Sequence, residues 1–319
     1  MKLKPLGLRV VAALSLVGFA AGLWGCVSSA LGGDWLAAPI SACIAAALFY
    51  AVSHVMRAIR LAVIAMPFLG ISFRSGLALH LFVAPWSILM PFKLDELIRY
   101  NELCRLSHSP ARAFATILID RSMDGVILIG LACYMLAAGF PEVAGFVGLA
   151  GIGLTFLALG FIILPPLLET TQRHVFTYNH SPTALYALKR IDRLRQLLFT
   201  SREAITGAAP FLLITTIGIW AMEMLAVWTL VRSTGLHARP LAQAAELMLD
   251  RANSGWRAFL PGTLADPLAV GATMIFFVAL LLLWIPALAF YTARQKNEPR
   301  RPRLPQRTGF SVLPTAHRI

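Results

Sequence analysis

The sequence predicts an all-α, polytopic integral membrane protein with about six full transmembrane helices and two re-entrant or broken segments. Hydrophobic residues make up 58% of the 319 residues and charged residues only 13%, and the mean hydropathy is +0.72. A soluble globular chain is roughly 45–50% apolar and 25% charged. The charges also cluster between apolar runs that are long enough to cross a hydrocarbon layer of about 30 Å.

The basic excess favours a membrane over nucleic acid as the partner. The chain has 28 Lys and Arg against 15 Asp and Glu, and the basic residues border the apolar runs, as the positive-inside rule describes. The four cysteines form no CxxC pair, and the seven histidines show no metal-like spacing. The sequence therefore predicts no disulfide framework, no metal site and no cofactor.

Six apolar runs predict the spans, with both termini in the cytoplasm of a bacterial inner membrane. Lys2, Lys4 and Arg9 hold the first helix, which we interpret as uncleaved, on the cytoplasmic side. The spans fall at about residues 9–31, 36–56, 113–138, 143–164, 208–231 and 268–291. Residues 1–293 then form the transmembrane domain, and residues 294–319 form a basic, disordered cytoplasmic tail.

A polar stretch at about residues 167–206 is expected to be a cytoplasmic loop. Within it Leu188, Ile191, Leu194 and Leu198 recur at helical spacing beside basic residues. This pattern indicates an amphipathic helix that lies on the inner leaflet or packs on loops of the protein itself. The spacing does not decide between the two.

Two interrupted apolar segments predict broken backbone at membrane depth. Residues 61–92 contain Gly70, Pro85 and Pro91, and cytoplasmic charges are expected on both flanks, with a cytoplasmic turn at Arg57 and Arg60 before the segment and Lys93 and Arg99 after it. A re-entrant hairpin satisfies that requirement, and such backbone needs cover from protein or a wet cavity. The second segment covers residues 240–267. Both read Trp, four residues, Pro, two residues, Leu, which indicates an inverted transporter repeat or a chance match.

Charges inside or beside the apolar runs mark the candidate site, because charged side chains in membranes usually face a bundle interior or a wet cavity. Lys93, Glu96 and Arg99 recur every three residues after Pro91, which predicts a cavity-lining face or a solvated helix start. Asp120 and Asp124 share a helix face, and Arg121 can reach Asp124. Isolated within the fifth span, Glu223 needs a cation from another helix or a proton. Asp95 is expected to be wetter than Asp124, and His80 is the one histidine inside a broken segment.

Several short motifs occur in an order that resembles a known family. They are Arg57-x-x-Arg60, Pro91-x-Lys93-x-x-Glu96-x-x-Arg99, Asp120-Arg121-x-x-Asp124 and Trp220-x-x-Glu223. This set is similar to the lysylphosphatidylglycerol synthase transmembrane (flippase-like) family, across nearly the whole chain. The sequence departs from that pattern at Asp95, where Gly is usual, and at Asp120, where Glu is usual. The soluble aminoacyl-transferring domain of the full-length synthases is absent, so aminoacylation is not implied.

The resemblance implies a flippase-like protein that binds or moves a lipid between leaflets. The expected partners are the bilayer, an anionic phospholipid or a polyprenyl or hopanoid lipid, and a homo-oligomer or a lipid-synthesis complex. A membrane-embedded transferase and a non-transporting accessory subunit of glycolipid, hopanoid or exopolysaccharide synthesis stay open, although no soluble catalytic signature is present. The candidate substrate-binding residues are Arg57, Arg60, Lys93, Glu96, Arg99, Asp120, Arg121, Asp124, Glu223, Arg251 and Arg257.

Overall fold

The computed structural model describes residues 38–89, 95–141, 144–178, 181–235, 243–248 and 267–297. These residues are helical and contain no strand, which confirms the all-α class. The helices are α1 (Ile40–Leu69), α2 (Phe73–Val83), α3 (Trp86–Leu89), α4 (Asp95–Ser107), α5 (Pro110–Ala137), α6 (Ala144–Tyr178), α7 (Pro182–Ser233) and α8 (Pro267–Asn297). A short helical segment also covers residues 243–248.

Four of the described helices are long and apolar enough to cross a membrane, so the predicted count of about six spans is not confirmed. The four stretches are Ile40–Leu69, Val147–Tyr178, Thr183–Ser233 and Gly271–Phe290. The predicted span at residues 9–31 lies outside the described residues. The predicted span at 113–138 falls within α5, which is 28 residues long but carries three charges near its centre that lower its hydropathy.

Helix α1 is longer than the predicted second span, and this corrects the expected cytoplasmic turn at Arg57 and Arg60. The helix continues through both arginines, which are buried, to Leu69. It ends at Gly70, whose φ of 67° lies in the left-handed region and whose N–H donates to the carbonyl of Met66. The sequence placed these arginines in a loop because charge lowers local hydropathy, and it does not show the partners that neutralise them.

After Gly70 the chain forms a helical hairpin against α1. Helix α2 runs antiparallel to α1, so closely that a β-carbon at Gly76 would lie 2.8 Å from the Cα of Ala62. Helix α4 returns to the end of the bundle where α1 finishes, and there Leu103 packs in one cluster with Phe68 and Leu69. The hairpin thus begins and finishes at one end of the bundle, and starts at Gly70 instead of residue 61.

The stretch predicted to be a cytoplasmic loop, residues 167–206, is helical in the described residues, and its cytoplasmic location stays a prediction. Helix α6 continues to Tyr178, and α7 begins at Pro182 with the hydroxyl of Ser181 as its N-cap. The predicted amphipathic helix exists, but it is continuous with α7. Its Leu197 packs with the α4–α5 corner, which favours packing on the protein itself along this face, while Leu194 remains 39% exposed.

Helix α8 packs against α1 and α7. The rings of Tyr50 and Phe276 stack with centroids 4.2 Å apart, and Ala58 lies in one buried cluster with Ala287, so α8 runs in the same direction as α1. The helix continues through Asn297, past the predicted start of the tail at residue 294. Residues 298–319 and most of the second broken segment lie outside the described residues, and so does its half of the predicted repeat.

The outer face of α6 is strongly apolar. Leu149, Ile152, Phe156 and Ile162 are 57–75% exposed. A soluble monomer rarely leaves a contiguous patch of this kind in water. Hydrocarbon is the environment that suits this surface, in agreement with a membrane protein.

Candidate functional site

A cavity of about 330 Å³ lies between α1, the hairpin, α5 and α7. On α1 its charged wall is far from both ends of the helix. At a rise of 1.5 Å per residue, Arg57 lies roughly 25 Å from the start of α1 and about 18 Å from its end. Stripes at helical spacing supply the wall, because residues three or four apart share a helix face. They are Tyr50, His54 and Arg57 on α1, Arg121, Asp124 and Leu128 on α5, and Trp220, Glu223 and Val227 on α7.

Arg57 has all three of its guanidinium nitrogens bonded. Its Nη1 donates to Oδ2 of Asp124 at 2.9 Å, and its Nε and Nη2 both donate to Oε1 of Glu223, at 3.1 and 2.9 Å. The guanidinium carbon also lies 5.2 Å from the ring centre of Trp220, within cation–π range. The prediction that Glu223 takes a cation from another helix is therefore confirmed, with Arg57 as that cation.

Arg60 is fully buried and equally saturated. Its Nε donates to Oδ1 of Asp120 and its Nη2 to Oδ1 of Asp124, both at 2.9 Å. Its Nη1 donates to the hydroxyl of Thr216 at 3.0 Å. Arg60 and Asp120 do not line the cavity, so they hold α1, α5 and α7 together behind its wall.

Asp124 is the centre of this network. Besides Arg57 and Arg60 it accepts from Nη1 of Arg121 at 3.1 Å and from the indole N–H of Trp220 at 3.2 Å. The predicted Arg121–Asp124 pair is thus confirmed. Because a buried carboxylate needs several donors to offset its desolvation, Asp124 can remain charged at this depth.

The remaining two arginines are bonded less completely. Nη1 of Arg99 lies 3.3 Å from Glu96 and 3.5 Å from Asp120. Nη2 of Arg121 lies 2.7 Å from Glu96, and the Arg121 side chain is 30% exposed. The Nε atoms of Arg99 and Arg121 and Oε2 of Glu96 are buried without a hydrogen-bond partner among the described residues. Each such group costs about 1–3 kcal/mol unless a partner or water satisfies it.

The structure brings eight of the predicted site residues into one connected cluster. They are Arg57, Arg60, Glu96, Arg99, Asp120, Arg121, Asp124 and Glu223. The other three, Lys93, Arg251 and Arg257, lie outside the described residues. The prediction that Asp95 is wetter than Asp124 is wrong, because Asp95 is 3% exposed and Asp124 is 4% exposed; Asp95 lines the cavity at the first turn of α4.

Sequence reasoning missed His54, Tyr50 and Thr216. His54 precedes Arg57 by one turn and shares its face, so the spacing contained this signal. Thr216 lies four residues before Trp220, and it becomes notable only when Arg60 is seen to reach it. These residues extend the site toward α7 and toward the far end of α1.

The formal charges of the cluster and of Asp95, which also lines the cavity, nearly balance. Four guanidinium groups, those of Arg57, Arg60, Arg99 and Arg121, meet five carboxyl groups, those of Asp95, Glu96, Asp120, Asp124 and Glu223. Affinity for an anion therefore cannot come from an excess of positive charge on these residues. It must come from individual donors that the carboxylates leave unsatisfied.

Among the described residues, no group of three or more His, Cys, Asp or Glu is placed to hold a metal ion. The chain matches no protein-family model, no curated protein and no solved structure.

Proposed function

We propose that this chain is a flippase-like membrane protein that binds the headgroup of an anionic or isoprenoid-derived lipid and moves it between leaflets. The observation that carries the proposal is the charged cavity at mid-depth of a helical bundle with an apolar outer surface. Burying so many charges in a membrane is costly, and intramembrane charges usually mark a substrate pathway. The cavity's size is also at the lower end of the range for small-molecule sites.

The orientation of the bundle in the membrane follows from the position of its basic end. One pocket beside the start of α5 is bordered by Arg112, Arg193 and Arg195. It lies at the end of the bundle where the α2–α4 hairpin begins and finishes. Under the positive-inside rule this end faces the cytoplasm, which makes the hairpin re-entrant from that side. Together with the span that the sequence predicts at residues 9–31, this orientation leads us to propose that both termini are cytoplasmic, and reporter fusions after Arg9 and after Arg301 would both report cytoplasm.

The residues divide into two roles in this proposal. Arg99, Arg121 and Lys93 hold the negative group of the lipid, while Glu96, Asp120, Asp124 and Glu223 orient the cations. Movement of the broken segments gives access from alternate sides, as in transporters with a midplane site. The order of motifs shared with the flippase-like family supports this assignment. The departures at Asp95 and Asp120 leave the identity of the lipid to experiment.

A transport assay tests the proposal. Purified protein would be reconstituted into vesicles with fluorescent phosphatidylglycerol, polyprenyl phosphate or a hopanoid, and leaflet exposure would be followed by chemical quenching. Wild type should accelerate exchange of at least one lipid, and Arg99→Gln should abolish most of that exchange while its melting temperature is retained. Arg99→Lys should restore it only in part, because an ammonium group lacks the planar fork of a guanidinium.

Arg173→Gln is the matched control, since Arg173 is 79% exposed on α6 and, among the described residues, forms an ion pair only with Glu169. It should transport like wild type. Full transport by a well-folded Arg99→Gln variant would contradict this use of the cavity. Lipid binding by wild type without any exchange would instead favour the accessory-subunit alternative.

A further inference from the structure

His80 is a buried polar group that the ion-pair network does not use. It lies on α2, is 2% exposed and lines the cavity. Neither of its ring nitrogens has a hydrogen-bond partner among the described residues. Its nearest aromatic neighbour in the cavity wall is His54, with ring centroids 5.7 Å apart. Because buried polar groups in proteins are nearly always satisfied, a bare imidazole in a cavity wall points to a bound group.

Arg99 is the cation that the network satisfies least. It is 1% exposed, its Nε has no partner among the described residues, and its ion pairs of 3.3 and 3.5 Å are longer than those of Arg57 and Arg60, at 2.9 Å. Charge-assisted hydrogen bonds of good geometry measure about 2.7–2.9 Å. Arg99 therefore retains both charge and a donor for a ligand.

These two groups lie on opposite arms of the hairpin and line the same cavity. Neutral imidazole always has one N–H donor, whichever tautomer is present, and Arg99 adds a second donor with a permanent positive charge. A hydroxyl could accept from both donors, but its hydrogen bond to Arg99 would be the weaker kind that a neutral acceptor makes. An oxyanion supplies lone pairs for both donors and makes the shorter, charge-assisted hydrogen bond to Arg99.

We propose that His80 and Arg99 form an oxyanion subsite, which binds a phosphate group of the ligand through an imidazole N–H and the guanidinium Nε–H. Arg57 and Arg60, whose guanidinium nitrogens are already bonded to carboxylates and to the Thr216 hydroxyl, do not contact that group. This inference rests on the proposed function and deepens it by naming the headgroup chemistry and His80 as a ligand-binding residue. A ligand bound there joins the two arms of the hairpin.

Binding measurements on the full chain in nanodiscs of neutral lipid test the subsite. The probes are phosphatidylglycerol, undecaprenyl phosphate, inorganic phosphate and diacylglycerol, which lacks the phosphate. The variants are His80→Leu, His80→Gln, Arg99→Gln and the double variant His80→Leu/Arg99→Gln. His174→Leu, an exposed histidine on α6, is the control, and the melting temperature of each variant checks its fold.

Wild type should bind at least one phosphate-bearing lipid more tightly than diacylglycerol. His80→Leu should weaken that binding by at least about tenfold, the loss expected for a hydrogen bond to a charged group, and His80→Gln should retain part of it through its amide N–H. The double variant should lose less than the product of the single losses, because both donors bind one group. His174→Leu should bind like wild type.

Competition by inorganic phosphate would identify the free oxyanion as sufficient, and its absence would identify the lipid-borne phosphate; both support the subsite. Unchanged binding by folded His80→Leu and His80→Gln would overturn it while the transport proposal stands. Binding that depends on His80, observed without any lipid exchange, would support the subsite and contradict the transport proposal. No phosphate-dependent binding by wild type would overturn the subsite, and the transport assay would then decide the proposed function independently.

Discussion

The two sides of the cavity use the same residue types but bond them differently. On the α1–α5–α7 side, Arg57 and Arg60 place every guanidinium nitrogen on an acceptor at 2.9–3.1 Å, apart from a further contact of Arg60 with the backbone of Asp120 at 3.3 Å. On the hairpin side, Arg99 makes only two long ion pairs and keeps a bare Nε, and His80 has both ring nitrogens bare among the described residues.

This difference separates a structural role from a binding role. Breaking a saturated buried network leaves uncompensated charges, which costs stability. Unsaturated buried donors already carry a desolvation cost that a ligand can recover. We therefore expect substitutions on the α1–α5–α7 side to act on folding first, and substitutions at His80 or Arg99 to act on binding.

The largest effect is expected from Asp124→Ala. It would remove the acceptor of Arg57, Arg60, Arg121 and the Trp220 indole at once. Losing one partner of a buried pair costs about 3–5 kcal/mol, so the variant should show a much lower melting temperature or fail to accumulate. The measurement is thermal unfolding in detergent beside expression level.

Two carboxylates serve as controls for Asp124→Ala. Glu169→Ala removes an ion pair whose side chains are 49% and 79% exposed, and such surface pairs contribute little. Asp95→Ala should cause an intermediate loss, smaller than that of Asp124→Ala. Equal stability of the Asp124 and Glu169 variants would show that the network does not hold the three helices together.

A smaller effect is expected where the hairpin packs on α1. In Gly76→Ala the new β-carbon would lie 2.8 Å from the Cα of Ala62, a backbone atom that cannot rotate away. Overpacking of this kind costs about 1–3 kcal/mol. The matched control is Gly130→Ala in α5, which has no atom within 4 Å of the added carbon and should be neutral or slightly stabilising.

Thermal unfolding of both glycine variants would make this comparison. A lower melting temperature for Gly76→Ala alone would show that the hairpin is packed firmly against α1. A wild-type melting temperature for Gly76→Ala would mean that the hairpin moves away from α1 at little cost. The α1–α5–α7 side would then be the firmly packed side of the cavity, and the hairpin would be a mobile one.

The smallest effect is expected from Thr216→Val. This change keeps the size of the side chain and removes the hydroxyl that accepts from Nη1 of Arg60 at 3.0 Å. One buried donor on a charged group loses its partner, which costs about 1–3 kcal/mol at most. Thr229→Val is the control, because its hydroxyl bonds only to the carbonyl of Leu225 within α7. Identical unfolding of the two variants would contradict the saturated state of Arg60.

Part of the site could be predicted from local spacing. Asp120, Arg121 and Asp124 occupy consecutive turns of one helix, and their i,i+3 and i,i+4 relations are written in the sequence. Glu223 could be expected to find a cation because it stands alone in an apolar run. Neither relation identifies Arg57 and Arg60 as the partners, because these arginines lie 60 to 166 positions away from the carboxylates in the sequence.

By itself, the sequence determined the helical class, the membrane character and the set of charges that the apolar helices must enclose, because these depend on composition and periodicity. Only the tertiary structure decided where the helices end and which charges neutralise one another. Without knowledge of their partners, Arg57 and Arg60 are predicted to lie in a loop, because an unpaired charge is unfavourable within an apolar helix. Three carboxylates from α5 and α7 reverse that energetic balance, while the Nε–H of Arg99 and the imidazole of His80 stay without a partner among the described residues.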